Sequence, residues 1–159
     1  MITRYLDGVS SDAAGMAHPE RLARWTRRLA AMGNRIPSFL VARAQAQEAA
    51  DRQRVGAVFA DHDVLLTPAL TRLPPPVGEW LGLPAALMLN GMANFTVHLA
   101  SWNHTGQPAA AVPVETAPGG LPVAVQLVGR PGDEATLLSL SAQLETATGW
   151  LDRRPGVVA

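Results

Sequence analysis

The stretch from Trp80 to Val114 contains no Asp, Glu, Lys or Arg, in a chain of 159 residues. Residues that disfavour a long apolar helix interrupt this stretch, namely Pro84, Asn90, Gly91, Asn94 and His98. A membrane-spanning helix needs about 18 or more consecutive apolar residues, so the stretch is not a membrane span. The pattern indicates a segment buried inside a folded protein, and we expect no membrane partner.

The composition excludes several classes of chemistry. All 13 basic residues are arginine, and the chain contains no lysine and no cysteine. Lysine bases, Schiff-base lysines, thiolate nucleophiles, disulfides and cysteine zinc sites are therefore excluded within this sequence. The formal net charge is zero, so we expect no nucleic-acid partner. The first residues lack the basic-then-apolar order of a secretory signal, which favours a cytoplasmic protein.

Helical patterns fill the first part of the chain. Residues 1 to 16 predict a short helix or a frayed lead-in segment, and residues 18 to 34 predict one longer helix. The apolar residues of the longer helix recur at spacings of three and four, and they are Leu22, Trp25, Leu29 and Met32. A further helix is predicted from near Pro37 to about Ala60. Its buried side consists of Val41, Ala44, Val55, Val58 and Phe59.

Short apolar runs after residue 60 predict strands. Residues 63 to 68 predict a buried strand that ends at Pro68, and an ordered, proline-rich loop follows over residues 69 to 84. Residues 85 to 102 predict one or two apolar helical turns, with a break around Asn90 and Gly91. Two strands are predicted at 109 to 114 and 121 to 129, and the Ala-Pro-Gly-Gly turn between them favours an antiparallel hairpin.

A closing helix completes the pattern. It begins at Asp133 and Glu134, whose negative charges suit the positive end of a helix, and it ends at Gly149. Its apolar positions are Leu137, Leu138, Leu140, Leu144 and Ala147. The order helix, helix, strand, loop, helix, strand, strand, helix predicts an α/β fold.

Ser10 and Ser11 form a serine pair, which is a feature of some hydrolases. A serine nucleophile needs a base within hydrogen-bond reach, and the neighbouring sequence supplies none. Turn or helix-cap roles explain both residues more simply.

Ser101 lies between His98 and His104 and suggests a serine–histidine site. An orienting acid is required as well, and no acid lies between Glu79 and Glu115. The histidines also give too few convergent ligands for a zinc site. We therefore predict no catalytic residue, no metal and no cofactor, and keep a Ser101 hydrolase as a minor alternative.

Residues 95 to 129 carry an ordered set of motifs. They are Phe95-Thr96, Asn103-x-x-Gly106-x-Pro108-Ala109, Val112-Pro113, Gly120-Leu121-Pro122 and Val125-Gln126-Leu127-Val128-Gly129. In order and spacing, these motifs resemble the C-terminal end of the amidase signature family, whose members are serine hydrolases that cleave amide bonds and include the A subunits of amidotransferases. The resemblance covers roughly residues 35 to 150. It implies the C-terminal part of an amidase signature fold, a mixed β-sheet flanked by helices.

The resemblance also implies what this chain lacks. The family uses a serine nucleophile, a second serine in a cis peptide and a lysine base, all located in the N-terminal and middle parts of a longer chain. This sequence has no Gly-Ser-Ser segment and no lysine. Arginine stays protonated and cannot replace a neutral lysine as a base. No catalytic residue is carried over, and we predict one partial domain, with lead-in helices at 1–34, an amidase-like region at 35–150 and a tail at 151–159.

A substrate-binding set follows from the same resemblance. In the family, the segment before Asn-x-x-Gly-x-Pro borders the acyl or leaving-group pocket. That implies substrate-binding roles for Phe95, Thr96, Leu99 and Trp102, with Asn103 shaping the loop. Packing and turn formation explain the same residues equally well, so both interpretations stay open.

Two functions from different classes follow. The first is the C-terminal segment of a hydrolase of carboxylic amide C–N bonds, inactive alone and able to use a small amide only when joined to its catalytic part. The alternative is a non-catalytic interaction module that acts through an oligomeric interface. Under either function, the strands at residues 63 to 67 and 109 to 129 are expected to have edges whose backbone groups are unpaired. We expect either an N-terminal amidase chain or self-association through residues 80 to 129 to cover them.

Overall fold

The computed structural model describes residues 2–153. The chain forms two compact units, Met1–Gln53 and Arg54–Ala159, and each is described by itself. Most of the predicted tail, residues 154 to 159, lies outside the described residues.

Three helices build the first unit. They are α1 (Ile2–Gly15), α2 (Arg24–Gly33) and most of α3 (Ser38–Gly56), whose last three residues belong to the second unit. α1 and α2 approach closely because Gly33 has no side chain: a Cβ there would lie 2.1 Å from the backbone oxygen of Leu6. Arg4 of α1 pairs with Glu48 of α3 across 2.6 Å. The predicted helix over residues 1 to 16 is confirmed by α1.

The predicted single helix over residues 18 to 34 is wrong in its first half. Pro19–Arg21 form a 3₁₀ turn, and α2 begins at Arg24. Leu22 lies between them in an extended conformation, with ψ at 144°. The Arg27 guanidinium donates to the carbonyl oxygens of Glu20 and Leu22 across 2.6 and 2.7 Å. A side chain therefore takes the place of the amides that would bond these carbonyls in a continuous helix.

The next predicted helix, from near Pro37 to about Ala60, consists of α3 and a 3₁₀ turn over Ala57–Ala60. Phe59 is buried at 6% exposure, as predicted, but Val58 is 40% exposed. Adjacent side chains in a 3₁₀ turn point about 120° apart, so both cannot face the same core.

A three-stranded antiparallel sheet organises the second unit. Its strands are β1 (Val64–Pro68), β2 (Ala109–Thr116) and β3 (Pro122–Gly129). The spatial order is β1-β3-β2. β2 and β3 form the predicted hairpin, with Val112 opposite Val125, and β1 pairs with the other side of β3, with Leu65 opposite Val128. The predicted α/β class and order of elements are confirmed.

Successive side chains of β3 point to opposite faces of the sheet, which creates two core clusters. The first cluster contains Val128, Phe59 and Trp102. The second contains Leu127, Val112 and, from α6 (Glu134–Thr148), Leu137. Both faces of β3 are therefore covered by other parts of the second unit.

β1 is less buried than predicted. Leu66 is 62% exposed, although it lies opposite the buried Leu127 of β3. α6 packs mainly against β2 and β3, and β1 lies at the edge of the sheet. The prediction of a buried strand is wrong on this face, because an edge position leaves one side of the strand uncovered.

Two helices occupy the uncharged stretch, α4 (Ala85–Phe95) and α5 (Val97–Thr105). The predicted break around Asn90 and Gly91 is wrong, because α4 continues through both residues and ends before Thr96. A Cβ at Gly91 would lie 3.2 Å from Trp80 Nε1, so this glycine admits a close neighbour rather than ending the helix. Among the described residues, no helix has both the length and the apolar character that a bilayer crossing requires.

The closing helix α6 follows the prediction at both ends. It begins after Asp133, and Gly149 ends it in the left-handed conformation, with φ at 59°. Leu137 is buried at 3% exposure, whereas Leu138 is 69% exposed and Ala147 is also exposed. Only one side of α6 faces the sheet, so two of the five apolar positions, Leu138 and Ala147, lie outside the core.

Candidate functional site

The predicted substrate-binding residues begin at the junction between α4 and α5. Phe95 is the last residue of α4, and Thr96 separates the two helices with φ at −108° and ψ at 20°. The Thr96 hydroxyl donates to the carbonyl oxygen of Met92 across 2.9 Å. The amide of Leu99 donates to the carbonyl oxygen of Thr96, also across 2.9 Å. Thr96 therefore stabilises the turn between the helices.

Phe95 is the centre of a cluster of aromatic and charged side chains. Trp80 meets its ring edge to face, with centroids 5.7 Å apart and planes at 65°. The Arg72 guanidinium lies 5.8 Å from the Phe95 ring centroid and also pairs with the Glu79 carboxylate. The amide of Thr71 donates to the Phe95 carbonyl oxygen across 3.3 Å. These contacts fasten the proline-rich loop to the end of α4.

A pocket of about 230 Å³ lies beside this cluster. It is lined by Pro76, Gly78, Glu79, Trp80, Leu81 and Met88. Glu79 is the charged member of this lining, and its carboxylate already pairs with Arg72. The pocket therefore suits an uncharged, apolar group, and Phe95 lies near it through the shared contact with Trp80.

Trp102 lies elsewhere, in the core. It is 8% exposed and packs with Phe59 and Val128. Its indole N–H donates to Oε1 of Gln126 across 2.9 Å, and Thr67 donates to the same oxygen across 3.3 Å. The side-chain oxygen of Gln126 therefore accepts hydrogen bonds from two side chains.

Leu99 and Asn103 occupy two further environments. Leu99 is half-buried on α5, and Asn103 is exposed. Asn103 lies within the last turns of α5, so its expected place in a loop is corrected. The structure brings Phe95 close to the pocket but does not gather all five predicted residues around one cavity. Their assignment as substrate-binding residues stays a prediction.

The Asn-x-x-Gly-x-Pro motif turns the chain from α5 into β2. Gly106 has φ at 78°, a conformation that favours glycine, and its amide donates to the carbonyl oxygen of Trp102 across 2.7 Å. The carbonyl oxygen of Pro108 then accepts from the Gly129 amide across 3.0 Å. Gly106 therefore makes the turn that delivers β2 directly to the side of β3.

The serine pair lies inside a helix. Ser10 and Ser11 belong to α1, and the Ser10 hydroxyl donates to Oδ1 of Asn34 across 2.6 Å. That hydrogen bond joins α1 to the residue after α2, which is a packing role. It replaces the turn or cap role that the sequence suggested.

His98, Ser101 and His104 all lie on α5. The Ser101 carbonyl oxygen accepts a hydrogen bond from the Thr105 hydroxyl across 2.9 Å. No group of three or more His, Cys, Asp or Glu side chains in residues 2–153 is arranged to hold a metal ion.

Sequence reasoning did not assign Arg72, Glu79 or Met88 to a site. Arg72 and Glu79 are the charged residues on either side of the run Pro74-Pro75-Pro76. Opposite charges on either side of a proline run predict an ion pair across the loop, and Arg72 and Glu79 form that pair.

The amidase family model matches residues 3–138 of this chain. The match begins well before residue 35, the approximate start of the resemblance given above. A Mycobacterium tuberculosis H37Rv protein named as the amidase AmiB2 is 41% identical over 156 residues, which cover 98% of this chain and 34% of AmiB2. The A subunit of the Glutamyl-tRNA(Gln) amidotransferase of Chloroflexus aggregans is 39% identical over 98 residues, which cover 62% of this chain and 19% of that protein. The chain thus spans about a third of the length of AmiB2.

Solved structures agree with this relationship. The structure of 6-aminohexanoate cyclic dimer hydrolase superposes with a TM-score of 0.84 at 22% identity, over 99% of this chain and 36% of the hydrolase, and shows the fold alone. A crystal structure of an amidase superposes with a TM-score of 0.69 at 25% identity, over 83% of this chain and 30% of the amidase. With the family match, the AmiB2 relationship and the shared fold taken together, the chain belongs to the amidase family.

Proposed function

We propose that this chain is the C-terminal segment of a hydrolase of carboxylic amide C–N bonds and has no amidase activity alone. One observation carries the proposal. The family match extends over residues 3–138, yet the chain corresponds to only 34% of AmiB2 and contains no lysine.

Amide hydrolysis by a serine hydrolase needs a nucleophile, a base that activates it and donors for the developing oxyanion. The family that this chain resembles takes the first two from serines and a lysine. Here Ser10 donates its hydroxyl hydrogen to Asn34, and the basic side chains are all arginine. The nucleophile and base are therefore supplied by a catalytic portion, defined as the part of an amidase that carries the serines and the lysine.

This chain supplies the scaffold and part of the substrate pocket. Phe95, Thr96 and Leu99 at the α4–α5 junction border the acyl or leaving group, while Trp102 holds α5 against β3 through its hydrogen bond to Gln126. Support comes from the Phe95–Trp80 contact beside an apolar pocket. Water adds across the amide C–N bond and releases a carboxylic acid and an amine.

The alternative function is a non-catalytic interaction module acting through an oligomeric interface. Exposed apolar side chains favour it, among them Val77 at 106% and Leu81 at 83% exposure. A monomer seldom exposes a large apolar patch without a partner. Sedimentation that shows a monomeric, folded chain at working concentration would remove this alternative.

The test uses a single joined protein, in which this chain replaces the matched third of AmiB2. Hydrolysis of acetanilide and hexanamide is followed by the release of aniline and ammonia. The joined protein is expected to hydrolyse at least one of these amides, and the isolated chain neither. AmiB2 without its matched third serves as the control. Turnover by the isolated chain, or an inactive joined protein that is folded, would contradict the proposal.

A further inference from the structure

α4 is a helix without charged residues, and none of its residues is buried. Leu87 on this helix is 58% exposed. In the loop before it, Val77 is 106%, Leu81 83% and Leu83 40% exposed. These four apolar side chains are called the 77–87 face. Within the described residues these four side chains remain exposed, whereas Met88, Leu89 and Met92 on the other side of α4 are half-buried.

The loop that carries the 77–87 face is held in place by its polar and aromatic residues. Arg72 pairs with Glu79 and stacks on Phe95, and Trp80 meets the same ring. Trp80 also lies against α4 at Gly91. The charged and aromatic side chains of the loop thus contact one another and α4, while Val77 and Leu81 point outward. These contacts hold the loop backbone that carries Val77 and Leu81, so less backbone freedom is lost when a partner binds.

The uncharged character of this face limits the kind of partner that fits it. Interfaces that are permanent resemble a domain core cut in half, whereas transient ones carry more polar groups. From Trp80 to Leu87 the chain carries no formal charge, and the carboxylate of Glu79, between Val77 and Leu81, is paired with Arg72. The relatives of this chain also extend well beyond it, since the matched region is 34% of AmiB2.

We infer that the 77–87 face is the surface on which the catalytic portion of the amidase packs. This inference rests on the proposed function, and it moves the expected contact region from residues 80 to 129 to residues 77 to 87, in the loop and α4. β3, in contrast, needs no further partner, because it is paired on both sides and packed on both faces.

The chain contains no cysteine, so single cysteines can report exposure at chosen positions. Val77→Cys, Leu81→Cys and Leu87→Cys are compared with Leu121→Cys, a control in the β2–β3 turn that is 42% exposed. Each is labelled with iodoacetamide in the isolated chain and in the joined protein, and peptide mass spectrometry reads each position separately.

Labelling at positions 77, 81 and 87 is expected to slow by about tenfold or more in the joined protein, with little change at 121. Equal rates in both proteins, or equal slowing at all four positions, would overturn the inference. Slowing in the isolated chain when its concentration is raised would identify a second copy as the occupant and would also overturn it. If the joined protein does not fold, the two pieces are mixed as separate chains, and unchanged labelling there counts against the inference.

The amide assay on the same joined protein separates the two proposals. An inactive joined protein with positions 77, 81 and 87 protected would contradict the proposed function alone. An active joined protein with these positions unprotected would contradict the docking surface alone.

Discussion

Trp102 donates its indole N–H to Oε1 of Gln126 across 2.9 Å, and this hydrogen bond joins α5 to β3 inside the core. Thr67 of β1 donates to the same oxygen across 3.3 Å. One glutamine side chain thus links a helix to two strands, at a position where the surrounding residues are apolar.

Replacing this glutamine is expected to destabilise the chain. Gln126→Leu keeps the approximate shape but leaves the buried indole N–H without an acceptor, which costs about 1–3 kcal/mol of unfolding free energy. Thr67→Val removes only the longer hydrogen bond and is expected to cost less than about 1 kcal/mol. Urea denaturation followed by tryptophan fluorescence measures both, and equal costs would argue against the Trp102–Gln126 bond as the main contribution.

α6 offers a matched pair of leucines. Leu137 is 3% exposed and packs on Leu127, whereas Leu138 is 69% exposed. Leu137→Ala should lower the unfolding free energy by about 2–5 kcal/mol, because it leaves a cavity in the core. Leu138→Ala should change it by no more than about 0.5 kcal/mol in the isolated chain. Circular dichroism during urea denaturation distinguishes them, and similar effects would mean that α6 packs differently.

Two glycines of the first unit should respond to alanine in opposite directions. At Gly33 a Cβ would lie 2.1 Å from the Leu6 backbone oxygen, so Gly33→Ala must move α1 away from α2 and is expected to cost about 1–3 kcal/mol. At Gly8, within α1, no atom lies within 4 Å of the added Cβ. Gly8→Ala is expected to stabilise by about 0.5–1 kcal/mol through helix propensity. Thermal unfolding followed by circular dichroism tests both signs, and a stabilising Gly33→Ala would contradict the close helix approach.

Arg130 holds the end of β3 against the segment before β1. Its guanidinium donates from Nε and Nη2 to the Phe59 carbonyl oxygen across 3.2 and 3.1 Å, and it pairs with Asp63 across 2.9 Å. Arg130→Met keeps the aliphatic stem and should cost about 1–3 kcal/mol through the lost carbonyl bonds. Asp63→Asn removes only an exposed ion pair and should cost less than about 1 kcal/mol. A larger effect of Asp63→Asn in urea denaturation would show that the ion pair dominates.

The hairpin and the closing helix could be predicted because local residues determine them. Apart from Gln126, the residues from Pro122 to Gly129 form an apolar run after a Gly-Gly turn, and Gly149 ends α6 in the left-handed conformation. The break predicted at Gly91 was wrong because this glycine makes room for the Trp80 ring, a contact that the neighbouring sequence does not show. The interruption at Leu22 was missed for a similar reason, since it depends on a side chain, Arg27, that bonds two carbonyl oxygens.

The candidate site was less predictable than the fold. The motifs place Phe95 and Trp102 close together in sequence, but the turn at Thr96 puts them on different helices. Phe95 therefore joins Trp80 beside the pocket, while Trp102 enters the core. The exposure of Leu66 and Leu138 could not be predicted from the sequence either. An apolar residue does not indicate by itself whether it packs against another element of this chain.

The decisive measurement is the rate of acetanilide and hexanamide hydrolysis by the purified isolated chain, beside the joined protein under the same conditions. The proposed function predicts a rate for the isolated chain that equals the buffer rate, and a clear enzymatic rate for the joined protein. Hydrolysis by the isolated chain that persists after repurification would contradict it, because a chain without a lysine base would then carry its own catalytic machinery.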